Sequence, residues 1–420
     1  MKTLIQNAKI LLNADSDIID GDILINNNII EKIDKNIKVD DDVKIIDAKQ
    51  NLIMSGFIDC HAHSAMTILK GVGEGTPLET WLYDYMFKYE SHLTSEDIYY
   101  GTKLAVLEYL KNGITTVNDM YYKGESIAKA FYEMGLRAFV QCDESSIEET
   151  EKLYLNIQKY SPLVKANFGC HSVYTADEER FAHAIKLAKK YNEIVSTHMC
   201  ETLTEVGNCD KEYKMTPVKL LESYGFFDTK AMVYHAVYLD KEDYDILKKY
   251  NVSVCSNPAS NLKLGSGIAP VYPLISKGIN VCLGTDGSAS NNRLDMFREM
   301  YLVGCLQKGI MHNSEVIKCE EVIKMATENG AKALNANNIG TIKVGNLADL
   351  IMINLHGTNN ATNINIKSNL VYASGSEDVI MTMVDGKVLY ENGKFLNNID
   401  ENDIYDKVNK VIDRLKIKRV

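Results

Sequence analysis

Between Met54 and Met66 the chain reads MSGFIDCHAHSAM and places two histidines one residue apart behind a short apolar run. That run, Phe57 to Cys60, predicts a buried strand. Side chains along a strand alternate faces, so His61 and His63 point the same way while Ala62 turns from them. Two neutral imidazoles converging from a rigid strand end make a natural pair of metal ligands. The competing reading is two strand histidines held by ordinary hydrogen bonds, and ligands elsewhere in the chain decide between them.

From residue 56 to about residue 340, short apolar strand candidates alternate with helical periods, the pattern of repeated βα units and a parallel sheet. The candidates are Gly56 to Cys60, Thr115 to Asp119, Leu136 to Cys142, Ala166 to Cys170, Ile194 to His198, Ala231 to His235, Val252 to Ser256 and Asn280 to Asp286. Eight such units predict an α/β fold, a closed (β/α)8 TIM-like barrel. Helix signals fall between them, as in Thr94-Ser95-Glu96-Asp97, which caps an amphipathic run that Asn112-Gly113 stops.

Barrels of this kind carry their chemistry at the carboxyl ends of the strands. Those ends read His61 and His63, Asp119, His171, His198, His235 and Asp286, so five of the nine histidines stand there. His61, His63 and His198 offer three neutral nitrogens and Asp286 one anionic oxygen. That donor set suits one divalent ion, Zn or Fe, with a coordination position left for water. Such an ion brings the pKa of its water down towards ~7. Glu201, three residues past His198, can then move protons without binding the ion, and His235 can orient the nucleophile.

Both ends of the chain read as β-rich. Residues 1–55 alternate short apolar pieces with Asn- and Asp-rich turns, and strand candidates return at Asp349 to Ile353, Val379 to Val384 and Lys387 to Tyr390. The expected organisation is a small composite β-sandwich built from residues 1–55 and 341–420 around a barrel spanning 56–340, with a helix from about Asn402 to Lys416.

A 420-residue chain with 45% apolar and 25% charged residues is long and apolar enough for such a pair of domains. Its net charge of -11 argues against nucleic acid and anionic membrane surfaces as partners and favours a small neutral or cationic molecule. No apolar run nears the ~20 residues needed to span a bilayer. The nine scattered cysteines, without a C-x-x-C pair, fit reduced thiols in a cytoplasmic protein.

GFIDCHAH, HMCE ending at Glu201, the isolated His235, SNPASNLKLGSGIAP from Ser256, LGTDGSASNN from Leu283 and GNLADLIMINL from Gly345 together resemble the metal-dependent amidohydrolase superfamily over essentially the whole chain. Within it the chain is most similar to the 5-methylthioadenosine/S-adenosylhomocysteine deaminases and the neighbouring 5'-deoxyadenosine deaminases. The resemblance implies hydrolytic deamination of an adenosine derivative to the inosine analogue and ammonia by metal-activated water. Glu201 would protonate ring N1, Asp286 would accept the water's proton and His235 would fix its position. A mononuclear centre is implied, of Zn, Fe or Mn, because the fourth strand lacks the lysine of the two-metal branch; Lys165 stands at its wrong end.

By the same resemblance Glu90 would hold the ribose hydroxyls, His171 and Ser290 would line the nucleoside pocket, and Trp81 would form an aromatic wall or else a core residue. Homo-oligomers are expected of relatives. One departure concerns the 5' end. Relatives that accept S-adenosylhomocysteine place an arginine just beyond the third strand, where this chain has Gln141-Cys142-Asp143-Glu144, and Arg137 lies earlier in the strand. Uncharged 5' groups are therefore expected to be preferred. The alternatives are a deaminase or chlorohydrolase of a free base or triazine, disfavoured by Glu90, and a non-catalytic barrel scaffold, disfavoured by the intact ligand set.

Overall fold

A computed structural model describes residues 2–396 and 399–417, so the outermost residues of the two terminal segments, 1 and 418–420, lie outside it. The chain begins with five strands, β1 (Lys2–Leu11), β2 (Ile18–Asn26), β3 (Ile29–Asp34), β4 (Lys44–Asp47) and β5 (Leu52–Ser55). β1 joins two apolar pieces that the sequence separates, because its register on β2 shifts between Ile5 and Ala8 and Asn7 takes a φ of 57°. Asn tolerates that left-handed conformation better than most residues.

Eight strands follow as the central body: β6 (Phe57–Ala62), β7 (Ile114–Asp119), β8 (Arg137–Cys142), β9 (Val164–Ser172), β10 (Ile194–Met199), β11 (Lys230–His235), β12 (Ser253–Ser256) and β13 (Asn280–Leu283). Each pairs in parallel with the next, in chain order. The ring closes where the first strand meets the segment after the last. Ala62 bridges to Asp286, and the Asp286 amide donates to the His61 carbonyl at 2.8 Å. Asp59 fastens the same seam from inside, accepting from the Thr285 amide at 2.9 Å and its hydroxyl at 2.5 Å.

The sequence expectation ran the last barrel strand to Asp286, but β13 ends at Leu283. Residues 284–286 instead cross the seam, because Gly284 has no side chain to clash there: a Cβ would lie 2.7 Å from the His61 amide nitrogen.

The chain then returns to the first sheet with β14 (Leu350–Ile353), β15 (Val379–Val384), β16 (Lys387–Glu391) and β17 (Lys394–Phe395). Both termini thus share one nine-stranded sheet, joined where β14 lies antiparallel on β5 with Leu350 opposite Ser55. β1 pairs with β4 along its first half and with β5 along its second. Ile5, Ile23, Ile53, Leu350 and Met381 form a common apolar cluster from the two ends of the chain. β5 escapes a sequence reading because its four residues run straight into β6.

Thr94 caps the helix Ser95–Lys111 through a capping box with Asp97, and the last helix covers Glu401–Arg414. Among the described residues no helix is long and apolar enough to cross a membrane.

Arg137, at the start of β8, ties the barrel to the terminal sheet. Its guanidinium donates to Asp349 at 2.5 and 3.1 Å and to Asp385 at 3.2 Å, and both Arg137 and Asp349 are buried. Removing one partner of a buried ion pair leaves the other desolvated and unpaired, which costs roughly 3–5 kcal/mol. Arg137→Ala is therefore expected to lower the free energy of unfolding by about that amount, read from urea denaturation. A loss under about 1 kcal/mol would mean that the pair contributes no more than a surface contact.

Candidate metal centre and substrate pocket

Three strand ends, those of β6, β10 and β13, bring one ligand atom each from His61, His63, His198 and Asp286 to within 4.8 Å of one another, all buried. The His61 and His63 Nε2 atoms stand 3.5 and 3.2 Å from Asp286 Oδ1. Donors about 2.0–2.2 Å from one ion in a tetrahedral array are separated by roughly these distances. Both ring nitrogens of His61 are buried without a hydrogen-bond partner, an unusual cost unless something binds there. The donor set therefore fits a single divalent ion.

The other two imidazoles are oriented by backbone carbonyls. His63 Nδ1 donates to Met120 O, and His198 Nδ1 donates to His171 O at 2.6 Å, which turns Nε2 of each towards the cluster. Burial pushes His61 down to about 3 and holds His198 well below its usual value, keeping both lone pairs available. Burial also works against charge on His63, but the Asp286 carboxylate outweighs it and pushes that imidazole up to about 9. Desolvation likewise opposes the Asp286 anion, yet His61 and His63 hold it well below the carboxylate range. Ion binding must then displace a proton from this pair.

Asp286 is held on its outer side as well. Ser260 and Ser290 hydroxyls stand 2.5 and 3.2 Å from Oδ2, and the Gly287 amide donates to Oδ1 at 2.7 Å. Three residues here adopt left-handed backbone conformations that disfavour side chains: Cys200 at φ 54°, His235 at 68° and Asp286 at 64°. Such positions cost about 1–3 kcal/mol each and gather at functional sites.

Glu201 follows that strained Cys200. It is 3% exposed, and burial pushes its carboxyl up to about 7, the range of a proton shuttle working near neutral pH. His235 Nε2 lies 3.8 Å from Glu201 Oε2, while its Nδ1 donates to Asn261 Oδ1 at 2.7 Å. That hydrogen bond places the proton of the neutral ring on Nδ1 and leaves Nε2 as an acceptor.

These groups open into a cavity also lined by Trp81, Phe87, Glu90, Tyr121, Tyr122, Asp143, His171 and Ser290. All five residues expected to touch a substrate line it. Glu90 is buried, and its carboxylate accepts from the Tyr121 hydroxyl at 2.7 Å. His171 is kept neutral by burial and pairs through Nδ1 with the Thr175 hydroxyl at 2.9 Å. Trp81 satisfies both of its readings: it is 5% exposed, its Nε1 donates to Val72 O at 3.2 Å, and one side faces the cavity. It belongs to a π-helical stretch, Trp81–Met86, flanked by Leu78–Thr80 and Phe87–Glu90.

A parallel barrel closed on itself, with this ligand set at the strand ends, is the build of a metal-dependent hydrolase, and the chain belongs to the amidohydrolase family, whose model matches residues 52–389. More particularly, it is 39% identical over 421 residues to a 5-methylthioadenosine/S-adenosylhomocysteine deaminase of Pyrococcus furiosus, covering 98% of this chain and 100% of that one. It is 39% identical to a 5'-deoxyadenosine deaminase of Methanocaldococcus jannaschii, covering 94% and 96%. Among solved structures, an adenosine deaminase from Xanthomonas campestris with bound zinc superposes with a TM-score of 0.93 at 27% identity, over 99% of each chain. Triazine hydrolase structures at 22% identity share the fold.

Several side chains that hold the site had no role in the sequence reading. Glu205 accepts the amides of Cys200 at 2.8 Å and Glu201 at 2.7 Å, clamping the strained turn. Its signal was present, since Thr202-x-x-Glu205 is a capping pattern. Asn261 and Ser260 sat in a motif quoted for its resemblance alone.

No arginine directly follows the third strand in the chain, as expected, but packing brings Arg180 to Asp143 from another element. It comes from the helix Glu178–Tyr191 and donates to Asp143 at 2.5 Å, 37 residues away in sequence. No local signal joins the two.

Hydrogen bonds to a charged group are worth ~1.5–3 kcal/mol each. Glu205→Ala, which removes two, is expected to lower the urea-unfolding free energy by at least ~1.5 kcal/mol while metal content per chain, from elemental analysis, stays unchanged. Loss of the metal instead would make Glu205 a support of the ligand cluster rather than of the Glu201 turn.

Proposed function

We propose that this protein hydrolytically deaminates an adenosine derivative with a small 5' group, releasing ammonia and the inosine analogue. The observation that carries the reading is Glu201, a buried carboxyl at about 7 beside both the four-ligand cluster and a cavity that holds a second buried carboxylate, Glu90. The deaminase relatives support it.

His61, His63, His198 and Asp286 would hold one divalent ion, with zinc favoured by three imidazoles and one carboxylate. That ion, when bound, supplies the Lewis acidity that makes a water nucleophilic near neutral pH. Glu201 donates its proton to adenine N1, so negative charge does not build up in the ring as C6 is attacked. Asp286 accepts the proton that the attacking water gives up. His235, with Nδ1–H committed to Asn261, accepts a hydrogen bond from that water through Nε2 and holds it on course. The proton held by Asp286 then passes to the departing amine as the C6–N bond breaks, the C6 hydroxyl returns its proton to Glu201, and ammonia leaves with C6=O formed and N1–H retained. Glu90, braced by Tyr121, accepts from the ribose hydroxyls, His171 and Ser290 border the nucleoside, and Trp81 closes one side. A free base or a triazine would leave the buried Glu90 carboxylate with Tyr121 alone and its other acceptor positions unfilled.

Asp143 lines the cavity and holds Arg180 in an ion pair, and Glu144 adds a second carboxylate beside Asp143. An uncharged 5' group enters without disturbing the pair; a carboxylate tail must compete with Asp143 for the guanidinium or face the acids. The preferred substrates are therefore 5'-deoxyadenosine, 5'-methylthioadenosine and adenosine over S-adenosylhomocysteine.

Glu201→Gln is expected to retain one metal per chain and to lose at least ~100-fold in kcat, measured by ammonia release. Near wild-type turnover would remove Glu201 from the chemistry. Across the four nucleosides, kcat/KM is expected to be lowest for S-adenosylhomocysteine, and Asp143→Asn, which frees Arg180, is expected to raise that value relative to 5'-deoxyadenosine. Equal wild-type values would sink the 5' preference, and activity on free adenine or a triazine alone would overturn the nucleoside reading.

A further inference from the structure

Of the three imidazoles in the ligand cluster, His61 alone has no acceptor for its Nδ1 proton among the described residues, although it is fully buried. His63 leans on Met120 O and His198 on His171 O. Ligand histidines ordinarily owe both tautomer and ring orientation to such a bond. His61 has instead the face of Tyr234, stacked at 3.7 Å between ring centroids with 21° between the planes. The rings of His63 and His198 meet it edge-on, each at 4.7 Å and at 82° and 81°.

Tyr234 is itself immobilised. It is fully buried on β11, one residue before His235. Its hydroxyl accepts from Asn118 Nδ2 at 3.0 Å. Asn118 Nδ2 also reaches Cys60 O at 3.0 Å, on the strand that carries His61, and Asn118 Oδ1 accepts from Asn167 Nδ2 at 2.7 Å. The phenol plane is thus fixed relative to β6, β7 and β9 as well as to its own strand.

We propose that Tyr234 is a positioning residue for His61, its ring face taking the place of the hydrogen bond that the other two ligand imidazoles make. Flat contact sets the plane of the imidazole and so the direction of Nε2. The electron-rich face also stabilises the positive charge that an imidazole acquires on coordination, in the manner of a cation over an aromatic ring. A hydrogen bond would set the tautomer as well; here the tautomer is chosen only when Nε2 coordinates. The inference rests on the reading of His61 as a metal ligand.

The test compares wild-type protein with Tyr234→Phe and Tyr234→Leu by competitive chelator titration of zinc and by the visible spectrum of the cobalt(II)-loaded protein. Tyr234→Phe, which keeps the face, is expected to hold zinc within about threefold of wild type and to leave the cobalt bands in place. Tyr234→Leu is expected to lose ~10–100-fold in zinc affinity, the usual effect of removing a partner behind a ligand, and to shift those bands. Equal affinity and an unchanged spectrum in Tyr234→Leu overturn the proposal.

If that variant does not fold, Tyr234→Met, which keeps much of the bulk but removes the ring face, is expected to weaken zinc binding by ~10-fold or more, and unchanged binding overturns the proposal equally. Failure of the wild-type protein to take up zinc or cobalt would instead sink the metal-ligand reading itself, which separates the two failures.

Discussion

The contact between the two ends of the barrel sheet governs the working end of this protein. Closing eight strands forces the segment after β13 against β6, and the Asp286 amide completes the ring by bonding the His61 carbonyl. One backbone hydrogen bond thereby sets a carboxylate beside two imidazoles from the other end of the barrel domain. The left-handed backbone at Asp286 aims the side chain inward, and Asp59 locks the seam behind it through Thr285. Burial pushes Asp59 up to about 7, so its hydrogen bonds to Thr285 offset a real desolvation cost.

Around that seam the reactive side chains are held by residues that never face the cavity chemistry directly. The short helix Pro258–Lys263 carries both Ser260, which bonds Asp286, and Asn261, which bonds His235. Its first turn is fixed in turn by Glu299, fully buried, whose carboxylate accepts the Ala259 amide at 2.9 Å. Glu205 does the same for the turn that presents Glu201. Buried polar groups of this kind are useful only when fully satisfied, because each missing partner leaves a desolvation cost in place. The side chains proposed for catalysis are thus each held by a hydrogen-bonded support behind them, the arrangement that positional catalysis requires.

The part of the cavity wall formed by Tyr122 and Asp143 has a different character. Asp143 is already paired with Arg180 from behind. On the proposed reading, discrimination among 5' groups depends on how readily that ion pair opens. The pair is about one-third exposed at the Arg180 side chain, so solvent moderates its strength.

Much of the architecture could be read from residue order alone. The strand-and-helix alternation fixes an eightfold parallel barrel because parallel neighbours need crossover helices, and both of these follow local periodicity. Strand-end histidines and aspartates pointed to the residues that cluster there because strand geometry decides, without tertiary information, which end of a barrel strand faces the active side. Residue order could not supply distances between side chains that no sequence interval relates. Arg180 beside Asp143, Tyr234 flat against His61 and Arg137 bridging barrel and terminal sheet each join elements through packing. The strain at Cys200, His235 and Asp286 is also a tertiary product, since isolated backbone would relax out of the left-handed region. Local periodicity determined which residues stand at the mouth of the barrel. Only closure of the ring and the packing of helices behind it decided how those residues are oriented, what holds them, and which charges are already paired.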